Sequence, residues 1–304
     1  MKIRRNDPPD QQFDEGTVMT AQKSRNASLL SHLGDAALPF GIVVALLATW
    51  EAAVHLLKIQ PFVLPAPTEI FKELLISGPT VILPQLHVTL IETLAGYLAA
   101  VIISAILSVL ILYSSTFRRG VLPLIVASQT IPIITMAPVL VIWFGYNSLP
   151  RIIITAIVAF FPLTIAAVTG LKSLEPQFID FFRSLNATPA QIFFKLRLPV
   201  ALPSIFGGLK VAATLAVIGA TISEWVGASQ GIGYLIAQDT ALLNTTRVFA
   251  SLTVLGVAGM ALFGLVGLIE RLSMPWIYAR PSMAWLRASQ NPRAPAAAVA
   301  RPRQ

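Results

Sequence analysis

The chain has 304 residues, 55% of them hydrophobic and 12% charged, with a mean hydropathy of +0.74. This composition fits a polytopic membrane protein rather than a pair of soluble domains. The net charge of +8 is spread over tails and loops, with no compact basic domain, which excludes a nucleic-acid partner, and the lack of cysteine excludes disulfides, thiolate metal sites and cysteine nucleophiles.

Residues 1–36 are polar and mixed in charge and are expected to form a largely disordered cytosolic tail. The first apolar run begins too far from Met1, and is too long, for a cleaved signal peptide. Runs of about 20 apolar residues, enough to cross a bilayer, occur at Ala37–Leu57, Val88–Tyr113, Val121–Phe144, Ile152–Leu171, Ile205–Trp225 and Phe249–Ile269. They predict an all-α fold with six transmembrane helices over residues 37–276, followed by a basic cytosolic tail, 277–304. The segment "PFVLPAPTEIFKELLISG" (Pro61–Gly78) is too polar to span and reads as a proline-rich turn and a short interfacial helix.

Two spans carry small residues at every fourth position: Gly96, Ala100, Ser104 and Ser108 in the second, Gly208, Ala212, Ala216 and Ala220 in the fifth. Such faces let helix backbones approach closely. In the second span this predicts bundle packing. In the fifth, the face runs on to Glu224 and is bordered by Thr214 and Thr221, so it is expected to line a pathway. The third span holds Pro123, Pro132 and Pro138, with Gln129 and Thr130 between them. Proline frees backbone carbonyls that protein or water must satisfy, which predicts a broken helix beside a cavity; a kinked helix without solute contact is the alternative. Gln129, Thr130, Met136, Thr214, Thr221 and Glu224 are the candidate pathway residues, while Trp143 and Trp225 read as interfacial anchors. The stretch "GASQGIGYLI" (Gly227–Ile236) predicts a tight turn leading into a short re-entrant or surface helix.

Orientation follows from lysine and arginine. With the N-terminus inside, seventeen of the 22 cations fall on inner segments, four (Lys58, Lys72, Arg151, Arg247) fall on outer ones, and Lys210 lies near the inner end of the fifth span. Both termini are therefore expected in the cytosol, together with the segment between the fourth and fifth spans.

That segment, "EPQFIDFFRSLNATPAQIFFKLRLP" (Glu175–Pro199), has the signals of a helical hairpin. A first helix is predicted from Pro176 to Leu185, with Asp180 early and Arg183 late along its dipole. Asn186 follows, one of the few non-glycine residues that accept the left-handed conformation of a helix stop. Thr188 reads as the N-cap of a second helix, with Pro189 at its first position and Gln191 completing a capping box. Pro199 is expected to end it. Phe178, Phe181, Phe182 and Leu185 give the first helix an apolar face; Ile192, Phe193 and Leu196 do so for the second. Helices this short need a surface to dock on. A membrane anchor would explain the aromatic and basic residues but not the paired caps, whereas a rigid knob for a protein groove explains both.

The stretch "DFFRSLNATPAQIFFKLRLPVALPSIFGGLKVA" resembles the EAA loop of permease subunits of binding-protein-dependent ABC importers. Asp180, Phe181 and Phe182 stand at its acidic-Ala-Ala positions, Asn186 at its glycine, and Leu198 and Pro199 at its terminal Leu-Pro. The departures are Asp for Glu, two phenylalanines for small residues, and Asn for Gly. "LPAPTEIFKEL", "MAPVLVIWFGYNSLPRIIITAIVAFFPLTIAAVTGLKSL" and "VIGATISEWVGASQGIGYLI" look like the nitrate/sulfonate/taurine branch, so the likeness covers about Ala37 to Trp276. The resemblance implies two permease copies in the inner membrane, two cytosolic ATPase subunits and a periplasmic or lipid-anchored solute-binding protein. It further implies a coupling role for Phe178, Asp180, Phe181, Phe182, Arg183, Leu185, Asn186, Ala187, Thr188, Gln191, Ile192, Phe193, Leu198 and Pro199. The branch takes sulfonates, nitrate-like anions and pyrimidine-type heterocycles, which leaves the solute open.

The chain has no P-loop motif and no H-E-x-x-H, and its three histidines are scattered. No cofactor, metal or catalytic residue is therefore expected, and ATP chemistry belongs to a partner. A secondary transporter or channel acting without an ATPase would need mid-membrane coupling carboxylates and an internal repeat. A membrane enzyme would need a clustered Asp/His or Ser/His set. Neither pattern is present.

Overall fold

The structure is a computed structural model that describes Leu38 and residues 41–278. The expected N-terminal tail, and all but residues 277 and 278 of the C-terminal one, lie outside the described residues. The chain divides into two units, Met1–Glu69 and Ile70–Gln304. In the first unit α1 (Gly41–Leu56) is an apolar helix. At about 1.5 Å per residue it is shorter than a bilayer core of about 30 Å. Its Glu51 carboxylate accepts hydrogen bonds from the Thr68 backbone N–H (3.1 Å) and hydroxyl (2.7 Å). This is the interhelical role open to a carboxylate near a span end.

The regular structure of the second unit is all helix among its described residues. It comprises α2 (Pro67–Ser77, beginning in the first unit), α3 (Leu83–Tyr113), α4 (Ser115–Ser128), α5 (Ile133–Phe144), α6 (Ser148–Lys172), α7 (Pro176–Ser184), α8 (Pro189–Ile192), α9 (Leu198–Gly227), α10 (Ile232–Ala241), α11 (Thr245–Ser273) and α12 (Pro275–Tyr278). Among the described residues four helical stretches are long and apolar enough to cross a membrane, and α4 with α5, bent by 99° at their break, makes a fifth if the pair is one span rather than a re-entrant loop. The break at Gln129–Pro132 is where the proline pattern predicted it, with Pro132 capping α5.

Two boundaries differ from the sequence reading. α2 does not end at Gly78, nor α8 at Pro199. Each passes through a five-residue π-helical turn, Gly78–Ile82 and Phe193–Arg197, into the next long helix. The reason is the same at both sites. The turn closes with an i→i−5 bond, Leu83 N–H to Gly78 O and Leu198 N–H to Phe193 O. The next residue is a proline, Pro84 or Pro199, which has no N–H to give. The widened turn absorbs the lost bond, so Pro199 lies inside a continuous helix, Pro189–Gly227, instead of ending one.

α6 is the central helix, with α3 and α9 packed along it. Gly96 on α3 meets Thr155 and the Ile152 carbonyl; Gly208 on α9 meets Ala166 and Leu163; Gly170 on α6 meets Ala201 and Ser204. A Cβ at any of the three would collide with its neighbours. Ala212, Ala216 and Ala220 are wholly buried. The small face of the fifth span is packed against α6, like that of the second: small residues here bring backbones together. Ser104 donates to the Phe160 carbonyl (2.9 Å), Ser204 to that of Ala166 (2.8 Å), and Tyr97 to that of Leu209 (3.1 Å).

Candidate functional site

The hairpin between α6 and α9 is built from local signals. α7 stops in a Schellman arrangement: the Ala187 N–H bonds to the Phe182 carbonyl (3.1 Å) and the Asn186 N–H to that of Arg183 (2.9 Å). This geometry requires a left-handed residue between them, and Asn186 has φ 56°. Two residues later the Thr188 hydroxyl accepts the Gln191 N–H (3.3 Å) while the Gln191 carboxamide accepts the Thr188 N–H (2.8 Å). The capping box is complete, with Pro189 at the first helical position. Asp180 and Arg183 face each other at 3.3 Å on the exposed side of α7. That pair contributes little to stability in water, so both charges are available to a partner.

The apolar residues divide into two groups. Phe178, Phe181, Leu185 and Phe194 are exposed. Phe182 and Ala187 are half-buried beneath the turn. Ile192 is buried, and Phe193 tilts against the Tyr113 ring at 6.4 Å. Phe193 and Leu198 line a cavity of about 220 Å³ with Val101, Leu202 and Leu209. The second helix therefore turns Ile192 and Phe193 towards the bundle, and Phe194, absent from the sequence-based set, is its outward aromatic. The π-helical turn explains the shift, because it rotates the faces that a regular helix would present.

The candidate pathway residues fall in three places. Gln129 and Thr130 are exposed at the α4–α5 break, with Met136 half-buried on α5. Thr214 lines an apolar groove of about 420 Å³ between α9 and α11, with Gly256 and Phe263, and Thr221 is half-buried, bonded to its own helix at Val217 (2.8 Å). Glu224 is wholly buried among α3, α9 and α10. Its Oε2 accepts the Gly233 N–H at 2.7 Å, and a Cβ on Gly231 (φ 109°) would fall on its carboxylate. Beside it, Gln85 accepts the Gly231 N–H (2.6 Å) and Thr89 the Ile232 N–H (2.8 Å). Side chains from two long helices thus satisfy the first N–H groups of α10.

Three ion pairs escaped the sequence reading. Glu92 on α3 holds Arg151 on α6, with both buried, at 2.6–2.7 Å. Arg247 forks onto the buried Asp239, and Lys210 on α9 pairs with Glu270 on α11. The one available signal was charge in or beside a span, which calls for a partner. The partner's identity needs the fold.

Residues 92–277 match the family model described as "Binding-protein-dependent transport system inner membrane component". The chain is 35% identical over 76% of its length, and 92% of the relative's, to the formylaminopyrimidine transport permease protein ThiX of Halalkalibacterium halodurans. It is 31% identical to the riboflavin transport system permease protein RibX of Chloroflexus aurantiacus, over 77% of this chain and 88% of that one. It is 29% identical to the taurine transport system permease protein TauC of Escherichia coli, over 79% and 89%. A chain of the inward-facing MetNI methionine ABC transporter has the same fold, with a TM-score of 0.53 at 21% identity over 60% of this chain and 92% of that one. The chain belongs to the family of inner-membrane components of binding-protein-dependent transport systems and is a permease subunit of an ABC importer.

Proposed function

We propose that the chain acts as one of two permease copies, most simply a homodimer, each crossing the inner membrane six times with both termini in the cytosol. Cytosolic ATPase subunits would hydrolyse ATP, the chain itself catalysing nothing, and a periplasmic or lipid-anchored binding protein would deliver the solute. The lysine–arginine asymmetry of the loops supports this orientation. The names of the relatives put a sulfonate, a pyrimidine-type heterocycle or a flavin within range of the solute.

The observation that carries the coupling role is the doubly capped turn at Asn186 and Thr188, with aromatic side chains left exposed on its outer side. Capping stiffens a hairpin too short to be stable alone, and exposed Phe178, Phe181, Leu185 and Phe194 supply an apolar knob for a groove in the ATPase. Asp180 and Arg183 lie at its rim. Closure of the ATPase pair would move this lever and, through the continuous α8–α9 rod, the bundle. The exposed polar break at Gln129 and Thr130 is the proposed solute-lining segment.

The test is the paired change Asp180→Arg with Arg183→Asp. It keeps the pair within α7 and reverses the charges a partner meets. ATPase co-purification and uptake should both fall at normal expression. If both persist, the docking surface lies elsewhere.

A further inference from the structure

We infer that an anionic phospholipid of the inner leaflet seats beside the hairpin, with an acyl chain in the cavity among α3, α6 and α9 and its phosphate on the cations around the cavity's inner end. The inference rests on the cytosolic placement of the hairpin.

The cavity of about 220 Å³ is closed at one end by the π-helical turn that leaves the hairpin. Packed interiors hold few voids larger than a water molecule, and lining atoms without neighbours forfeit their dispersion contacts. The walls are nearly all apolar. The two serines in them, Ser104 and Ser108, spend their protons on the Phe160 and Ala105 carbonyls, so water would find few partners there. Ala105 and Val109 line the cavity and are themselves exposed, so it opens sideways along α3. In a bilayer the neighbour on that side is hydrocarbon.

The inner end carries charge. Leu171, Phe193 and Leu198 line the cavity, and Lys172, Lys195 and Arg197 stand one or two residues from them along the chain. Arg118, at the start of α4, lies close enough to Lys172 for the two like charges to repel. None of these four cations is ion-paired among the described residues. The acids of the hairpin are engaged elsewhere, Glu175 with Gln177 and Asp180 with Arg183. Gathered cations without an acid favour an anion, and a basic collar at the cytosolic end of a helix bundle suits a lipid phosphate. A free phosphate would leave the cavity empty, and an acidic face of the ATPase could not enter it. A phosphodiester joined to an acyl chain fills both halves of the site.

In the test, the full transporter with its ATPase and binding protein is offered phosphatidylglycerol and phosphatidylcholine in equal amounts. Retained lipid is read by native mass spectrometry. Phosphatidylglycerol should be retained in preference. Arg118→Gln with Lys172→Gln should lower that preference about ten-fold or more, while Arg118→Lys with Lys172→Arg keeps the charges and should retain lipid as the native transporter does. Ala105→Phe fills the cavity from its open side and should lower retention with every charge in place. Unchanged retention in the glutamine or phenylalanine variant, or loss of it in the charge-keeping one, overturns the site. Displacement of the lipid by inorganic phosphate marks a free-anion patch and overturns it too. So does loss of the ATPase from the glutamine variant with phosphatidylglycerol still bound, which gives the collar to the ATPase. The placement is checked separately. Ser184→Cys, in this cysteine-free chain, should react with a membrane-impermeant maleimide in inverted vesicles alone. Reaction from the outer side overturns the orientation and the leaflet with it. Reaction from the inside without a lipid preference overturns the lipid site and leaves the orientation standing.

Discussion

Replacing Asn186 by valine tests whether the hairpin works as a stiff lever. Asn186 has φ 56°, a conformation that costs an L-residue about 1–2 kcal/mol and a β-branched one the upper end of that range or more. If the valine retreats to negative φ, the two bonds of the helix stop, Ala187 to Phe182 and Asn186 to Arg183, are lost. Each is worth about 1 kcal/mol net, less where water replaces it. The local cost is therefore about 2–3 kcal/mol. With about 1.4 kcal/mol per factor of ten, the ratio of formed to unformed turn falls about 30- to 150-fold. The assay is solute uptake and solute-stimulated ATP hydrolysis by the reconstituted complex, at matched permease content. Asn186→Val should lower uptake at least ten-fold while basal ATP hydrolysis persists. Asn186→Gly, which pays no Cβ penalty, should stay within two-fold of native. Uptake and stimulation within two-fold of native for Asn186→Val, in a normally inserted protein, would refute the lever.

Two stability predictions follow from the packing. Arg151→Met leaves Glu92 buried without its cation and should cost about 3–5 kcal/mol, read as a lowered melting temperature in detergent. Adding Glu92→Gln should recover part of the loss, because the second change removes the stranded charge. Neighbouring glycines on α9 should differ sharply. Gly208→Ala drives a methyl group into Ala166 and should cost about 1–3 kcal/mol. Nothing lies within 4 Å of a Cβ on Gly207, so Gly207→Ala should leave the melting temperature unchanged or slightly raised.

The hairpin was legible because its determinants are local. A helix stop and a capping box are written within a few residues, and side-chain chemistry at Asn186, Thr188 and Gln191 permits few other geometries. Long apolar helices were legible for a similar reason, since a bilayer demands long apolar runs, although among the described residues four stretches are long enough to span, or five with α4–α5 as one. Ion pairing was not. Glu92 and Arg151 are 59 residues apart, and nothing in either neighbourhood specifies the other. The π-helical turn before Pro199 was missed because proline usually ends a helix; a turn closed one residue earlier, by Leu198 onto Phe193, removes the need to stop. For the small face of the fifth span, periodicity showed that the face is special but not that α6 covers it.

These misread features bear on how the lever acts. α7 follows α6 by a three-residue link, and α8 runs without a stop into α9, so the hairpin joins two helices that are themselves packed together. Their contact includes glycines at Gly170, Gly208 and Gly219 and the Ser204 hydroxyl bonded to the Ala166 carbonyl. A close-packed contact of this length does not deform gradually. A push on the hairpin cannot pry α6 from α9, and must move them as one body, with α3 held to α6 by the Glu92–Arg151 pair. The relative motion then falls where packing is thinnest. That is the exposed, proline-broken α4–α5 segment, the same segment we propose to line the solute's path.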